Sequence, residues 1–393
     1  MVCLEKNDKL CVYCGSIKSA TEFTSEHVIP KAIGGNLIPT NPFLLENVCR
    51  RCNNIAGIYI DGPYIKSWFT QNYRAESQLQ YVDLRNHAVL PLHFMGLFEP
   101  LLFEGRQCDF WLGPTGDRIY HFHYPYPEEP DTPLMIGTPT YLKDVDLDPG
   151  FAFLFIRATN PAWHGSIIYS FIDQFSKSEL YLGNGPAPEG GIFKEIPNDL
   201  SEIHRKLVAL NGAYHKVGFT MNIDYADRFL AKIALGMGAL LLTSDFVTSD
   251  DANLLRNFMW SKSREIREQI ELRGSSFWAD DTSIKEILSF QGGHFLAFIP
   301  SGNALAFSFI PYGKQEATIQ ITSNQEHWKG KLPPNGVVYV LIPGLQRYAG
   351  PINLENYIAW KSSGAKFELL DKLKGAMSLF AELPPYDQSG ETK

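Results

Sequence analysis

Two Cys-x-x-C pairs, CVYC at 11–14 and CRRC at 49–52, constrain this chain more than any other feature. Each pair lets two sulfurs reach one ion from a single tight turn, and four thiolates complete the closed tetrahedron of a structural zinc site. The 34 residues between Cys14 and Cys49 exceed the spacing of a zinc ribbon, so the metal closes a long loop. A segment this small cannot build a core of its own and takes its fixed shape from the metal. Cys11, Cys14, Cys49 and Cys52 are therefore expected to hold one structural Zn²⁺. Cys3 and Cys108 are left over; Cys3 could lie near the site as a fifth thiol, and Cys108 reads as a buried strand residue.

The rest of the chain sets the class. With 45% hydrophobic and 20% charged residues, 393 residues can bury a sizeable core in two or three domains. The first residues, MVCLEKNDKLCVYCG, lack a signal-peptide run, which with the paired cysteines predicts a reduced, cytoplasmic protein. The longest apolar run, IALGMGALLL at 233–242, is far short of the roughly 20 residues a bilayer needs, so no membrane is expected. The net charge of −8 is uneven: residues 1–75 hold eight basic side chains against six acidic, while the remainder is strongly acidic. A mildly basic front on an acidic body permits local phosphate contact without general adhesion to nucleic acid.

Turn signals dominate residues 1 to about 60, and a helical segment follows the second cysteine pair through Leu79. From residue 88 onward, HAVLPLHFMG, QCDFWLG, DRIYHFHY, FAFLFIRA and SIIYSFID read as strands. HYPYPEEPDTP at 123–133 reads as a loop. Beyond residue 200 the apolar spacing from Asp224 to Leu241 predicts a core helix with Asp224 as N-cap, 249–273 continues in helical style, and 295–343 returns to strands. His121 and His123 share one face of a strand. They could form a second metal pair, but with no acid or cysteine partner assignable they read as a structural or pocket-lining pair. The single histidines of NPAWHG and GGHF are placed in turns. The division expected is a front module at 1–85 and a large α+β body at 86–393, with a candidate sub-boundary near residue 200.

Inside the zinc-closed loop lies TSEHVIPKAIGG, residues 24–35. In an extended strand Glu26 and His27 point to opposite sides unless the strand bends, so one can bind a metal while the other faces a substrate. The ordered set CVYC, SEHVIPKAIGG, ENVCRRCNNIAGIYIDGP resembles the HNH endonuclease family, in its branch with two zinc-binding cysteine pairs. The resemblance covers roughly residues 8–65 and says nothing of 90–393. It implies a ββα-metal fold: a strand carrying Glu26-His27, a return strand through Leu44–Val48 and a helix opening near Arg50.

Carried over residue by residue, the resemblance makes His27 the general base for a water attacking phosphorus. Glu26 and Asn53 become ligands of a catalytic Mg²⁺ or Mn²⁺, with Asn54 a one-residue rival to Asn53. Asn47 takes the task of orienting the base. Gly34 and Gly35 are expected to form a turn that lets backbone approach a phosphate, and Asp61 to orient a neighbouring group or cap a turn. Lys31, Arg50 and Arg51 are candidate phosphate contacts. The family's lysine a few residues past the last ligand is missing from NNIAG. The implied function is a metal-dependent endonuclease on double-stranded DNA, an effector of prokaryotic restriction or anti-phage defence whose body binds a trigger or partner protein, with a homodimer as one route to cutting both strands. The alternatives are a non-catalytic zinc module that binds nucleic acid or protein, and an RNA-directed nuclease.

Overall fold

The computed structural model describes residues 8–378 except 81–89, 99–100, 102, 125–148, 158–160, 186–190, 211–212, 214–215, 219–223, 262–264, 266–271, 274–285 and 315–316. Cys3, the proline-rich loop beyond Tyr124, most of the stretch after Ser261 in the 249–273 segment, and the tail after Pro384 lie outside the described residues.

The chain is mixed α+β. It opens with two small antiparallel hairpins, β1 (Asp8–Leu10) with β2 (Ile17–Ser19) and β3 (Phe23–His27) with β4 (Leu44–Cys49). Helix α1 (Arg50–Ala56) starts directly after β4, and a π-type segment, Gly57–Asp61, continues it into α2 (Gly62–Ile65). The strand, return strand and helix expected from the resemblance are therefore present at the expected places. Next come α3 (Trp68–Leu79), β5 (His93–Leu97), β6 (Gln107–Leu112), β7 (Arg118–His123), β8 (Phe151–Phe155), α4 (Pro161–Gln174), β9 (Glu179–Leu182) and α5 (Ser201–Ala209). Then follow α6 (Asp224–Leu241), α7 (Asp250–Trp260), β10 (Leu272–Arg273), β11 (His294–Ser301), β12 (Ala304–Ile310), β13 (Ala317–Thr322), β14 (Val337–Ile342), β15 (Arg347–Asn353), α8 (Leu354–Ser363) and α9 (Glu368–Ser378).

Packing groups these elements differently from chain order. One compact unit comprises residues 1–65 together with 222–378, the other 66–221 with 379–393. In the first unit a six-stranded antiparallel sheet runs in the order β10-β13-β12-β11-β14-β15. Helix α6 is apolar nearly all round and shares one core with the front segment, including Tyr13, Val28, Ile33, Phe43, Val48 and Ile60. Gly236 marks the closest approach, since a Cβ there would meet Val28 Cγ1 at 2.7 Å. The expected division at 85/86 cuts the chain between α3 and β5, whereas this core joins the front to α6 and the sheet behind it.

In the second unit β5-β6-β7-β8-β9 form a sheet that is antiparallel except for β8–β9, the parallel pair joined by α4. Its two faces bury separate clusters. Trp111, Ile119, Ala152 and Leu154 pack with the α4 residues Trp163, Ile167 and Phe171, while Phe110, Tyr120, Phe153 and Tyr181 pack with Ile203 and Leu207 of α5. SIIYSFID, expected as a strand, lies inside α4. Its buried residues Trp163, Ile167, Ser170 and Phe171 recur at helical spacing, a period hidden when the eight residues are read alone. His164 sits on that helix and His294 is buried at the start of β11, so neither is a turn residue.

Candidate functional site

Cys11 and Cys14 lie in the turn between β1 and β2, Cys49 ends β4, and Cys52 sits in the first turn of α1. Their four sulfurs lie within 4.8 Å of one another. The Cys49 N–H donates to Cys11 Sγ at 3.3 Å. The Cys11 thiol is pulled down to about 4, first by the hydrogen bond from Cys52. A sulfur-only set this close fits a tetrahedral zinc and can hold one. The turn is clamped from two directions. The Val12 N–H donates to Asn47 O at 2.9 Å. From α7, Arg256 Nε donates to Val12 O at 2.6 Å and Trp260 Nε1 to Tyr13 O at 2.7 Å. The buried Arg256 guanidinium also offsets the negative charge that four thiolates bring to one ion.

β3 carries the next group. A bulge between Thr24 and Glu26 interrupts its pairing with β4, a device that re-aims side chains. His27 is half-buried at the strand's end, and Asn41 Nδ2 lies 3.0 Å from its Nδ1. Because Asn41 Oδ1 already accepts from the Phe43 N–H at 3.1 Å, its Nδ2 is the end that donates to the ring. Nδ1 is thus the lone-pair nitrogen of the neutral imidazole, and the ring's other contact is to the backbone of Gly35. Burial, then the nearby Lys31 ammonium, lower the His27 pKa and favour the neutral ring. The residue found against His27 is Asn41; Asn47 is exposed on β4 and contributes its backbone carbonyl to Val12.

Asn53 is the asparagine that faces β3. Its Nδ2 donates to Ser25 O at 3.2 Å, while Asn54 is exposed. Lys31, Arg50 and Arg51 are all exposed. Gly34 and Gly35 are buried rather than presented to solvent. Gly34 has φ +91°, and a Cβ on Gly35 would meet Ile29 O at 1.7 Å, so the pair closes the loop tightly beneath His27.

Glu26 points away from solvent. Its Oε1 accepts from Lys232 Nζ at 2.6 Å and from Tyr13 OH at 3.2 Å. Lys232, fully buried on α6, also reaches Asp61 Oδ2 at 2.9 Å and Val28 O at 3.3 Å. Burial alone would strip its proton, but the Asp61 and Glu26 carboxylates outweigh that and raise its pKa. Asp61, expected to orient a neighbour or cap a turn, is brought here by the π-type segment, and burial raises its pKa. The ammonium that NNIAG lacks locally is thus supplied from 171 residues beyond Asp61, although buried beneath the loop rather than presented to a phosphate. No local motif announces Lys232. Its one signal is a lysine on the otherwise apolar stripe FLAKIALGMGALLL.

The donor chemistry for a divalent ion is partly laid out. Glu26 Oε1 and Asn53 Nδ2 are committed to protein contacts, which leaves Glu26 Oε2 and Asn53 Oδ1 as hard oxygen donors. Two carboxylates against one ammonium leave the buried cluster with residual negative charge, which suits a cation. Among the described residues, the groups of three or more His, Cys, Asp or Glu that close on one point are the four cysteines and a separate set, Asp109, His121 and His123.

The model of one known family matches this segment. Residues 11–69 match the HNH endonuclease family. The match spans both cysteine pairs, the Glu26-His27 strand and Asn53, about a seventh of the chain. No curated protein matches the chain. No solved structure matches it either.

Proposed function

We propose that the HNH segment is a metal-dependent endonuclease centre that hydrolyses phosphodiester bonds in double-stranded DNA, with His27 as general base. The observation that carries this reading is the placement of His27: a half-buried ring at the end of β3, inside the matched segment and beside the cysteine cluster, with Nδ1 in hydrogen-bond contact with the Asn41 amide. A water that displaces the Asn41 amide at Nδ1 gives up its proton there and attacks phosphorus. The P–O3′ bond breaks, and the departing 3′ oxygen takes a proton from solvent. A bound Mg²⁺ or Mn²⁺, held by Glu26 and Asn53, would stabilise charge on the phosphoryl and leaving oxygens. Lys31, Arg50 and Arg51 are exposed and would contact backbone phosphates, while Asn41, not Asn47, is the amide that occupies Nδ1 until the water takes its place. The zinc supplies shape and takes no part in the reaction. We assign the protein to cytoplasmic prokaryotic restriction or anti-phage defence, with the remaining chain binding a trigger, a partner protein or a second copy.

One observation favours a second reading. The Glu26 carboxylate is bound to a buried lysine, as in a structural ion pair, which suits a zinc module that binds nucleic acid or protein without cutting. Incubation of supercoiled plasmid, linear duplex and RNA with Mg²⁺, Mn²⁺ or EDTA separates the two. Metal-dependent nicking lost in His27→Ala supports the nuclease, and cutting confined to RNA moves the substrate. DNA binding without cleavage under every metal leaves the non-catalytic module.

A further inference from the structure

The second unit carries a polar cluster unconnected with the HNH segment. Asp109 on β6 and His121 on β7 are direct cross-strand partners, and His123 lies two residues on, so the three side chains share one face of the sheet. All three are buried, at 8%, 3% and 4% exposure, and their donor atoms lie within 4.8 Å of one another. Asp109 Oδ2 is 3.2 Å from His123 Nε2. That distance matches two ligands sharing one ion at bond lengths of about 2.0–2.2 Å in a tetrahedral shell.

The outer edges of both rings are fixed by carbonyl oxygens. His123 Nδ1 lies 2.9 Å from Tyr124 O, and a carbonyl there requires that nitrogen to carry the proton. His121 Nε2 lies 3.0 Å from Pro149 O and 3.2 Å from Ser178 Oγ, whose own hydroxyl donates to Pro149 O at 2.8 Å. The Pro149 carbonyl thus leaves the His121 lone pair on Nδ1, while His123 Nε2 shares a proton with Asp109 Oδ2 whose place a bound cation would take. A backbone acceptor on the far nitrogen is the arrangement that orients metal-binding histidines. The rings lie nearly parallel, 4.9 Å apart at 23°, and Phe175 packs 5.0 Å from His121. The nearby Arg106 guanidinium is held over the Tyr124 ring at 4.2 Å.

We propose that Asp109, His121 and His123 form a second metal site, free of sulfur, that takes a first-row divalent cation of the zinc class through two imidazole nitrogens and one carboxylate oxygen. Three protein ligands leave a position for water, unlike the closed four-cysteine centre. The site rests on the second unit alone and is independent of any nuclease activity.

The test is metal stoichiometry and spectroscopy on the full chain, using Zn²⁺ and Co²⁺. With excess Mg²⁺ present to occupy the oxygen donors of Glu26 and Asn53, wild type should bind two equivalents of Co²⁺, one with the intense near-ultraviolet band of thiolate ligation and one adding weak visible absorption only. The variant Asp109→Asn/His123→Gln should lose the second equivalent and keep the thiolate band. Should the variant fail to fold, wild type still decides: a graded chelator should remove one ion without loss of the thiolate band. A single equivalent in wild type overturns the proposal and leaves Asp109–His123 a metal-free ion pair. Retention of both equivalents in a folded variant overturns it equally.

Discussion

Lys232 holds an ammonium at zero exposure between two carboxylates, and that fixes what its removal must do. Lys232→Met leaves Glu26 and Asp61 buried without a counter-charge, a loss of about 3–5 kcal/mol measurable by denaturant unfolding. Adding Glu26→Gln and Asp61→Asn should recover much of that stability; failure to recover it would show that Lys232 acts through packing instead. His27 predicts a pH profile for cleavage. Burial and then Lys31 lower its pKa, so the acid limb of the rate should lie below pH 6.5 with a plateau at 7, and Lys31→Ala should move that limb upward. His27→Ala should cost about 10²–10⁴-fold in rate at unchanged fold, against a near-normal rate for His164→Ala. His294 predicts acid lability. Burial pushes it down to about 3, so below its ordinary value near 6.5 the unfolded chain takes up a proton that the folded chain refuses. Stability should therefore fall as pH drops from about 6.5 toward 3. His294→Gln, whose amide oxygen can still accept from the Tyr312 N–H, should flatten that slope. At this scale the cysteine cluster was legible because its spacing is local. Asn41, Lys232 and Asp109 were not, since each meets its partner only through a loop, a helix or a cross-strand register that no spacing rule encodes.

Helices α6 and α7 do for the front segment what a small core cannot. α7 latches the first cysteine turn through Arg256 and Trp260, and α6 backs onto Val28, the residue after His27, at Gly236. Gly236→Val would drive a methyl into Val28, costing about 1–3 kcal/mol from overpacking and shifting the strand end that carries His27. Cleavage should then fall more than stability alone accounts for, when both are measured at a temperature where the variant is folded. Equal losses in the two would confine Gly236 to packing. The long helix was readable from its apolar stripe, which exceeds two turns, and the late strands from continuous β-branched and aromatic runs such as β14, which is buried throughout. α4 was not: its apolar run is short, and β-branched residues on a helix facing a sheet look like a strand until Trp163 and Phe175 extend the period. β15 was missed for a related reason, as RYAGPIN has a glycine and a proline inside it and sits at a sheet edge where both are tolerated.

On the scale of the whole chain, the sequence reading separated a front module from a body by the change in composition near residue 88, and composition follows chain order. Packing does not. The core that surrounds α6 draws Tyr13, Val28, Ile33, Phe43 and Ile60 from the front, and Tyr64 stacks on Phe229 at 3.8 Å. A chain of residues 86–393 would lose all of these and would leave Lys232 buried without either carboxylate. Each large side chain withdrawn from such a core costs on the order of 2–5 kcal/mol, against a total stability of about 5–15 kcal/mol, so a few suffice to unfold that unit. Residues 66–221, by contrast, keep both faces of their sheet covered, by α4 on one side and α5 on the other. Expression of 86–393 should therefore give protein that is insoluble or lacks a cooperative transition, while 66–221 should unfold cooperatively by itself. Removal of zinc from the full chain should likewise lower the stability of the unit that contains α6 and leave the transition of the 66–221 unit in place. Soluble, cooperatively folding 86–393 would mean that the front segment docks on a finished body and that residues 11–69 could be transplanted; an aggregated product beside a folded 66–221 would mean that α6 and the strand carrying His27 are two halves of one core.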